Sequence, residues 1–309
     1  MSLEENVLKY GVSGGIRYRE PEKLYFLNVI SKDFQELGYN VQILKKENKR
    51  FSGINAYIGD LAKAKHLVIA PYDTTVNSLN TDMKFYPFDN MGTQKGLYEK
   101  IRFKALRFFL GVVLLLFLVL NFISVSPKLF QIIAISTLAI ATFITYIMLK
   151  GRPNSVSANL NTSGVLALLE LAKEQPKHTA FILVDREFVD HLGHVMINEA
   201  LPTTLDDKSI IHLNGIGNGE HIVIASKEEH VKMARNVAAN HKVKLFALDD
   251  YGLSEHALKY YDKAISISVC DEFNGRYEIS NVMNDQDVKI DEAQFNKVVS
   301  IVSQYLKTH

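Results

Sequence analysis

Two long apolar runs, LRFFLGVVLLLFLVLNFISV at 106–125 and LFQIIAISTLAIATFITYIML at 129–149, interrupt a chain that is otherwise polar in the ordinary way. Each is long enough to cross a hydrocarbon core of about 30 Å as a helix. Only Ser126, Pro127 and Lys128 part them. A turn that short, with a proline in it, sends the second helix back antiparallel to the first, so both hydrophilic flanks lie on one side. The runs are too long for the alternative of a helical hairpin buried in a water-soluble core.

The flanking charges orient this expected hairpin. Lys95, Lys100, Arg102, Lys104 and Arg107 stand at the entrance to the first run, Lys150 and Arg152 follow the second, and the turn holds only Lys128. The positive-inside rule then places both flanks, with the N- and C-termini, in the cytoplasm as an integral membrane protein of two spans. MSLEENVLKYG lacks the order of a secretory signal. The single Cys270 gives no disulfide framework, as expected of a reducing compartment. A net charge of +1 leaves no footprint for nucleic acid, and the basic residues at the membrane edge are read as setting topology.

Outside the hairpin roughly 260 residues remain, enough for one α/β domain. Apolar runs at 39–44, 55–61, 66–73, 179–185, 209–216, 221–226, 244–250 and 264–271 are expected to be strands, several buried on both faces. Segments 21–37, 162–174, 187–200, 227–241 and 291–306 have helical period. The alternation predicts an α/β fold with a mixed, mostly parallel sheet and helices on both faces, its ligands bound beyond the carboxyl ends of the strands. The domain organisation expected is 1–74 with 151–309 as the cytoplasmic domain, 106–149 as the transmembrane hairpin, and 75–105 as a connector lying against the membrane.

The order of these segments resembles the co-catalytic di-zinc aminopeptidases, the family of bacterial leucyl aminopeptidases with glutaminyl cyclases and transferrin-receptor ectodomains as relatives. HLVIAPYDTT (66–75) resembles the strand ending in the family's Ala-His-x-Asp, and SANLNTSGVLALLELAK (157–173) the Asn-Asp-Asn-Ala-Ser-Gly turn that opens a helix. FILVDREFVDHLGH (181–194) resembles the strand ending in a Glu-Glu pair, and LSEHALKYY (253–261) the late Ser-Asp-His segment. The opening GVSGGIRYREPEKLYFLNVISKDFQELGYNVQI is similar to the family's N-terminal stretch. The resemblance implies the aminopeptidase fold and a two-zinc site at the sheet's carboxyl edge. Yet the ligand positions read Pro71, Leu160, Phe188, Asn214 and Glu278. Proline, leucine and phenylalanine side chains hold no lone pair for zinc, so the resemblance argues against the activity while it argues for the fold. Asp73 and Glu187, at the orienting-aspartate and general-base positions, survive as a vestige.

A metal site could instead have moved. Glu187, His191 and His194 fall at i, i+4 and i+7, one face of the helix expected over 187–200, with Asp190 beside them and His212 and His256 elsewhere; carboxylate and imidazole at that spacing suit zinc. The plainer reading is a solvated or membrane-facing helix side rich in histidine. Ser254 and His256 with Asp249 or Asp250 suggest a triad, but residues at i and i+2 point apart and no Gly-x-Ser-x-Gly elbow is present. NGIGNGEH (214–221) lies between strands and opens no helix, so its glycines are read as turn formers, and Cys270 as a buried structural thiol. Ala134, Thr137, Ala141 and Thr145 make a small-residue stripe on the second apolar run, able to meet the first run or a membrane-protein partner.

The expectation is therefore a membrane-anchored pseudo-aminopeptidase without cofactor, a binding or scaffold module whose former cleft (Pro71, Asp73, Leu160, Phe188, Asn214, Glu278) faces the bilayer and takes a membrane partner, peptide or lipid. The alternative is an active hydrolase with zinc displaced to Glu187, His191 and His194.

Overall fold

The apolar runs produce strands buried on both faces, because alternate side chains leave a sheet in opposite directions. The structure, a computed structural model, describes residues 2–47, 52–78, 83–122, 127–201, 205–239 and 241–308. Its strands are β1 (Val41–Glu47), β2 (Ser52–Ile58), β3 (His66–Pro71), β4 (Lys84–Phe85), β5 (Thr179–Val184), β6 (Ser209–Leu213), β7 (His221–Lys227), β8 (Lys244–Leu248), β9 (Ala264–Phe273) and β10 (Arg276–Ser280). The α-helices are α1 (Leu3–Asn6), α2 (Glu20–Glu36), α3 (Asn90–Phe122), α4 (Pro127–Lys150), α5 (Ser163–Lys173), α6 (Leu192–Ala200), α7 (Val231–Ala238), α8 (Asp250–Ser254) and α9 (Glu292–Thr308). All eight apolar runs named above form strands. The helices expected over 21–37, 162–174, 227–241 and 291–306 are α2, α5, α7 and α9.

The strands form one sheet in the order β1-β2-β5-β3-β6-β9-β10-β4, with β7 and β8 joined through β9. Pairs β3/β5, β3/β6, β6/β9 and β7/β8 are parallel. Pairs β1/β2, β2/β5, β7/β9, β9/β10 and β4/β10 are antiparallel. The expected mostly parallel sheet is thus corrected to a mixed one, parallel only at its centre and in β7/β8. One cause is the two-residue turn Asn274-Gly275, with φ of 50° and 76°, which folds β10 straight back on β9.

Helices cover both faces, as expected. On one face Val68 and Ala70 of β3 join Phe26, Ile30 and Phe34 of α2, Leu166 and Leu169 of α5, Val237 of α7 and Val298 of α9. On the other, Leu67 and Ile69 join Phe85, Phe88, Leu97, Ile101, Ile197 and Leu258.

That second face overturns the expected membrane-bound connector. Phe85 pairs with Ile279 across β4/β10, Asp89 caps α3 by accepting the Gly92 N–H at 2.8 Å, and Leu97, Ile101 and Ala105 are buried. The segment is part of the domain, and position 105/106 lies inside the continuous α3 rather than at a boundary. The base of the insertion is pinned where Asn77 N–H meets Arg152 C=O at 2.7 Å and Asn154 N–H meets Thr75 C=O at 2.9 Å.

Beyond Ala105 the burial stops. Leu110, Leu114, Leu115 and Phe117 of α3 and Ile132, Ile135, Ile140 and Phe143 of α4 are all exposed. Among the described residues one helix is long and apolar enough to cross a membrane: Gln131–Lys150 of α4, 20 residues with mean hydropathy 2.2 and 6% of it buried. Ser126 of the expected turn and the far end of the first run lie outside the described residues. On α4, Ala141 is buried and Ala134, Thr137 and Thr145 are half-buried while their neighbours are exposed, so the small-residue stripe is the face turned to α3, which α4 contacts.

Candidate functional site

β5 ends at Val184 and the chain turns sharply. The Asp185 carboxylate pairs with Lys23 and accepts the Ile54 N–H at 3.0 Å, which fixes the end of the strand. Arg186 and His191 both take left-handed backbone, φ 58° and 52°, and the Arg186 guanidinium grips Asp190 at 2.7 and 3.0 Å. Such backbone costs a non-glycine residue about 1–2 kcal/mol. Two strained residues in one short loop mark a constrained place in the chain, of the kind found at functional sites. A Cβ on Gly193 would stand 2.5 Å from the Asp185 carbonyl oxygen, so only glycine lets α6 start this close to β5.

The helix expected over 187–200 is therefore corrected: it begins at Leu192, and Glu187 and His191 sit in the loop before it. The solvated helix side is set aside with it, since Glu187, His191 and His194 are 6%, 6% and 0% exposed. The loop, not an i, i+4, i+7 ridge, brings donor atoms of the three within 4.8 Å of one another.

More converges here than the local sequence spacing indicates. His212 projects from β6 onto the second face, between strand neighbours whose other side chains are apolar, and His256 approaches from the segment after α8. Both are buried. Ring centroids are 6.0 Å apart for His191 and His194, 5.5 Å for His194 and His212, and 6.0 Å for His212 and His256. Glu187 is the hub. Its Oε2 lies 2.5 Å from His194 Nε2, and its Oε1 lies 3.6 Å from His212 Nε2 and 3.9 Å from His191 Nδ1.

The far sides of the rings are held as well: His194 Nδ1 by the Tyr261 hydroxyl at 2.5 Å, His191 Nε2 by the Glu255 carbonyl at 3.2 Å, and His212 Nδ1 by Ser266 Oγ at 3.2 Å. His256 Nδ1 accepts the Leu258 N–H at 3.1 Å. Burial pushes His212 down to about 4 and His256 to about 3, so both rings are neutral near pH 7. Burial alone would raise the Glu187 carboxyl, but the facing His194 and His212 rings hold it well below the usual carboxylate range. The result is a buried carboxylate among imidazoles, opening on a recess lined also by Phe85, Phe188, Asn214 and Glu255.

The positions where the resemblance puts zinc ligands look different. Pro71 ends β3 opposite Val184 of β5. Leu160, Phe188, Phe85 and Ile279 belong to one apolar cluster, with the Phe85 and Phe188 rings 5.3 Å apart. Glu278 is tied to Lys84 at 2.7 Å. The Asn214 backbone is used in the sheet, its N–H donating to Ile267 C=O at 3.1 Å and its C=O accepting from Ser268 Oγ at 2.6 Å. Asp73 is buried beside Asp185, and burial lifts its carboxyl to about 7. A two-zinc centre does not fit this lining. Phe188 also walls a second cleft of about 370 Å³ that holds Asp73, Lys23 and Arg186 on one side and Gln94, Leu97 and Tyr98 of α3 on the other.

Compared with solved structures, the whole chain (100%) aligns with 97% of a Zn-dependent exopeptidase from Parabacteroides distasonis, at TM-score 0.59 and 14% identity. It aligns over 99% of its length with 96% of a Bacteroides thetaiotaomicron glutaminyl cyclase at TM-score 0.58 and 15% identity. Over 98% of its length it aligns with 68% of a Legionella pneumophila aminopeptidase at TM-score 0.54 and 11% identity. The chain has the zinc-aminopeptidase-like fold. At these identities the likeness speaks for the fold alone. No protein-family model matches the chain, and no curated relative matches it in sequence.

On this aminopeptidase-like frame the remaining sequence candidates fall into place. Ser254 Oγ donates to Tyr251 C=O and Asp249 caps α8, so no triad forms there. Gly215 and Gly219 take φ of 65° and 146° in the turn they were expected to make. Cys270 is buried, its thiol pushed up to about 12 by that burial. One signal in the sequence could have drawn His212 into the cluster, a lone imidazole in an apolar strand, whereas His256, beside Ser254, Glu255 and Lys259, carries no such mark.

Proposed function

We propose that the protein is a membrane-anchored pseudo-aminopeptidase, a binding module whose two spans hold it to the bilayer with both termini in the cytoplasm. The observation that carries this reading is the single apolar cluster of Leu160, Phe188, Phe85 and Ile279 at the sheet's carboxyl edge, with Glu278 neutralised by Lys84. A side-chain cluster of this kind suits capture of a peptide or acyl group better than polarisation of a water. The exposed apolar surfaces of α3 and α4 beyond Ala105 favour the bilayer as their solvent, since patches this large do not persist in water. Because α3 runs unbroken from Asn90, beside the recess, into its exposed half, the cleft with Gln94 and Tyr98 lies within a few helical turns of the bilayer. Its ligand is then a lipid or a cytoplasmic segment of a membrane partner.

The test is twofold. The protein should stay in the membrane fraction after alkaline carbonate washing, and in detergent it should turn over neither aminoacyl nitroanilides nor N-terminal glutaminyl peptides. Turnover that is lost on chelation and returns with two zinc ions per chain would sink the binding-module reading. A second reading, a hydrolase whose metal has moved to Glu187, His191 and His194, is favoured by the convergence of those three buried donors.

A further inference from the structure

Three buried imidazole nitrogens in the Glu187 cluster, His191 Nδ1, His212 Nε2 and His256 Nε2, have no hydrogen-bond partner among the described residues. Leaving a buried polar atom unpaired is costly, and three in one cluster point to something that satisfies them together. We infer that Glu187 Oε1, His191 Nδ1 and His212 Nε2 form a site for one divalent transition-metal ion, of the zinc class, with His194 outside the donor set. The inference stands apart from the binding-module reading and deepens the second one, replacing one of its ligands.

Tautomer selects these atoms, and the two distances to Glu187 agree with it. Zinc bonds of about 2.0–2.1 Å in a tetrahedron set donors about 3.3–3.4 Å apart. The 3.6 and 3.9 Å from Glu187 Oε1 to His212 Nε2 and His191 Nδ1 are too long for hydrogen bonds and close to that edge. Each of these rings is braced through its other nitrogen, His191 Nε2–H donating to the Glu255 carbonyl and His212 Nδ1–H to Ser266 Oγ. That arrangement leaves the inward nitrogen with a free lone pair, the pattern by which proteins orient histidine ligands.

His194 differs. Both its nitrogens are engaged, Nε2 at 2.5 Å from Glu187 Oε2 and Nδ1 with Tyr261. It is a positioning residue that turns Oε1 of Glu187 towards the other two rings. His256 differs again. Its Nδ1 accepts a backbone N–H, so in the neutral ring Nε2 carries the proton and cannot ligate. It is a donor for an oxygen atom held at the metal from the recess side, whether water or a ligand's carboxylate or carbonyl.

The experiment uses the full chain in detergent, stripped with chelator and dialysed against trace Zn2+ or Co2+. Expected are one metal per chain by plasma mass spectrometry and, with Co2+, the intense visible absorption of a four-coordinate ion. His191→Gln and His212→Gln should each weaken binding at least tenfold, the loss typical of a removed ligand or its partner. His194→Gln should bind with the same stoichiometry and a smaller change in affinity, and His256→Phe should keep the metal while shifting the Co2+ spectrum. Fewer than about 0.1 metal per wild-type chain, or loss of metal in His194→Gln with retention in His212→Gln, overturns the inference. If His212→Gln does not fold, His191 and His194 decide: retention in His191→Gln, or loss in His194→Gln, overturns it equally. Metal uptake without turnover leaves the binding-module reading intact, so the two can fail separately.

Discussion

Glu187 and Phe188 are consecutive, yet they serve opposite environments. One enters a cluster of four imidazoles and the other an apolar group with Phe85, Leu160 and Ile279. Among the described residues, the polar side keeps unpaired nitrogens and a constrained loop with two left-handed residues, while the apolar side is filled by β4, a strand from the segment before α3. The difference teaches that one edge of a sheet can hold a polar cluster and an apolar one side by side. The segment that leads into α3 and α4 also supplies Phe85 to one side of the edge, and it leaves the other side open to a recess.

The largest effect should come from reversing the apolar side. Phe188→Glu restores a carboxylate where the resemblance has one, but with Pro71 and Leu160 still unable to ligate it stands unpaired among Phe85 and Leu160. Stability should fall by about 4 kcal/mol or more, from lost aromatic burial and an uncompensated charge. Denaturant unfolding measures it. Full rescue by zinc would break the comparison, because it would mean that this side still holds a metal.

Next is the pH response of Asp73, which borders the second cleft. Its ordinary value is 3.8 and burial beside Asp185 raises it to about 7. Between those values the native state holds a proton that the unfolded chain has released, so stability is fullest below about pH 4 and is lost as pH rises through about 7. Asp73→Asn should flatten that part of the pH profile and raise stability at pH 8 by a few kcal/mol, since each tenfold difference in proton affinity between the folded and unfolded chain is worth about 1.4 kcal/mol. A profile unchanged by the substitution would show that Asp73 is charged in the folded protein.

Much of the fold can be read in the chain because its central strands are apolar on both faces and separated by helical periods. What escapes such a reading has local causes. β4 spans only Lys84 and Phe85, too short for any period, and β10 is partly polar, although Asn274-Gly275 before it is a strong hairpin signal. The loop at 186–191 reads as helix because left-handed backbone at Arg186 and His191 leaves no mark when the residue is not glycine. Glu187, His191 and His194 are visible by proximity in sequence. His212 and His256 join them only because β3, β5, β6 and β9 lie side by side in the sheet, which spacing along the chain does not encode.

On the polar side, Glu187→Gln keeps the shape and removes the charge. The bond to His194 becomes a neutral one, and charge-assisted bonds are worth roughly 1–2 kcal/mol more, so a loss of about that size is expected, with metal binding abolished. A variant more stable than the parent would show that the carboxylate is held against stability, as functional groups often are. That outcome would sharpen the contrast with Phe188, whose truncation has no such upside.

The smallest effect concerns whether the two sides depend on how α3 and α4 pack. Ala141 is 2% exposed on a helix that is otherwise open, and Gln94 of the continuous α3 donates from its side chain to the Phe188 carbonyl. Ala141→Leu should push α3 and α4 apart at a cost of about 1 kcal/mol, the low end for overpacking, because neighbouring faces are free to relax. The shift should be absorbed within the exposed half of α3, since Leu97, Ile101 and Ala105 anchor its first half in the domain. Metal affinity and the Co2+ spectrum of the detergent-purified variant should therefore match the parent. A changed spectrum would mean that movement of α4 against α3 reaches Glu187 through α3, and that the apolar and polar sides of this edge are coupled through that helix pair.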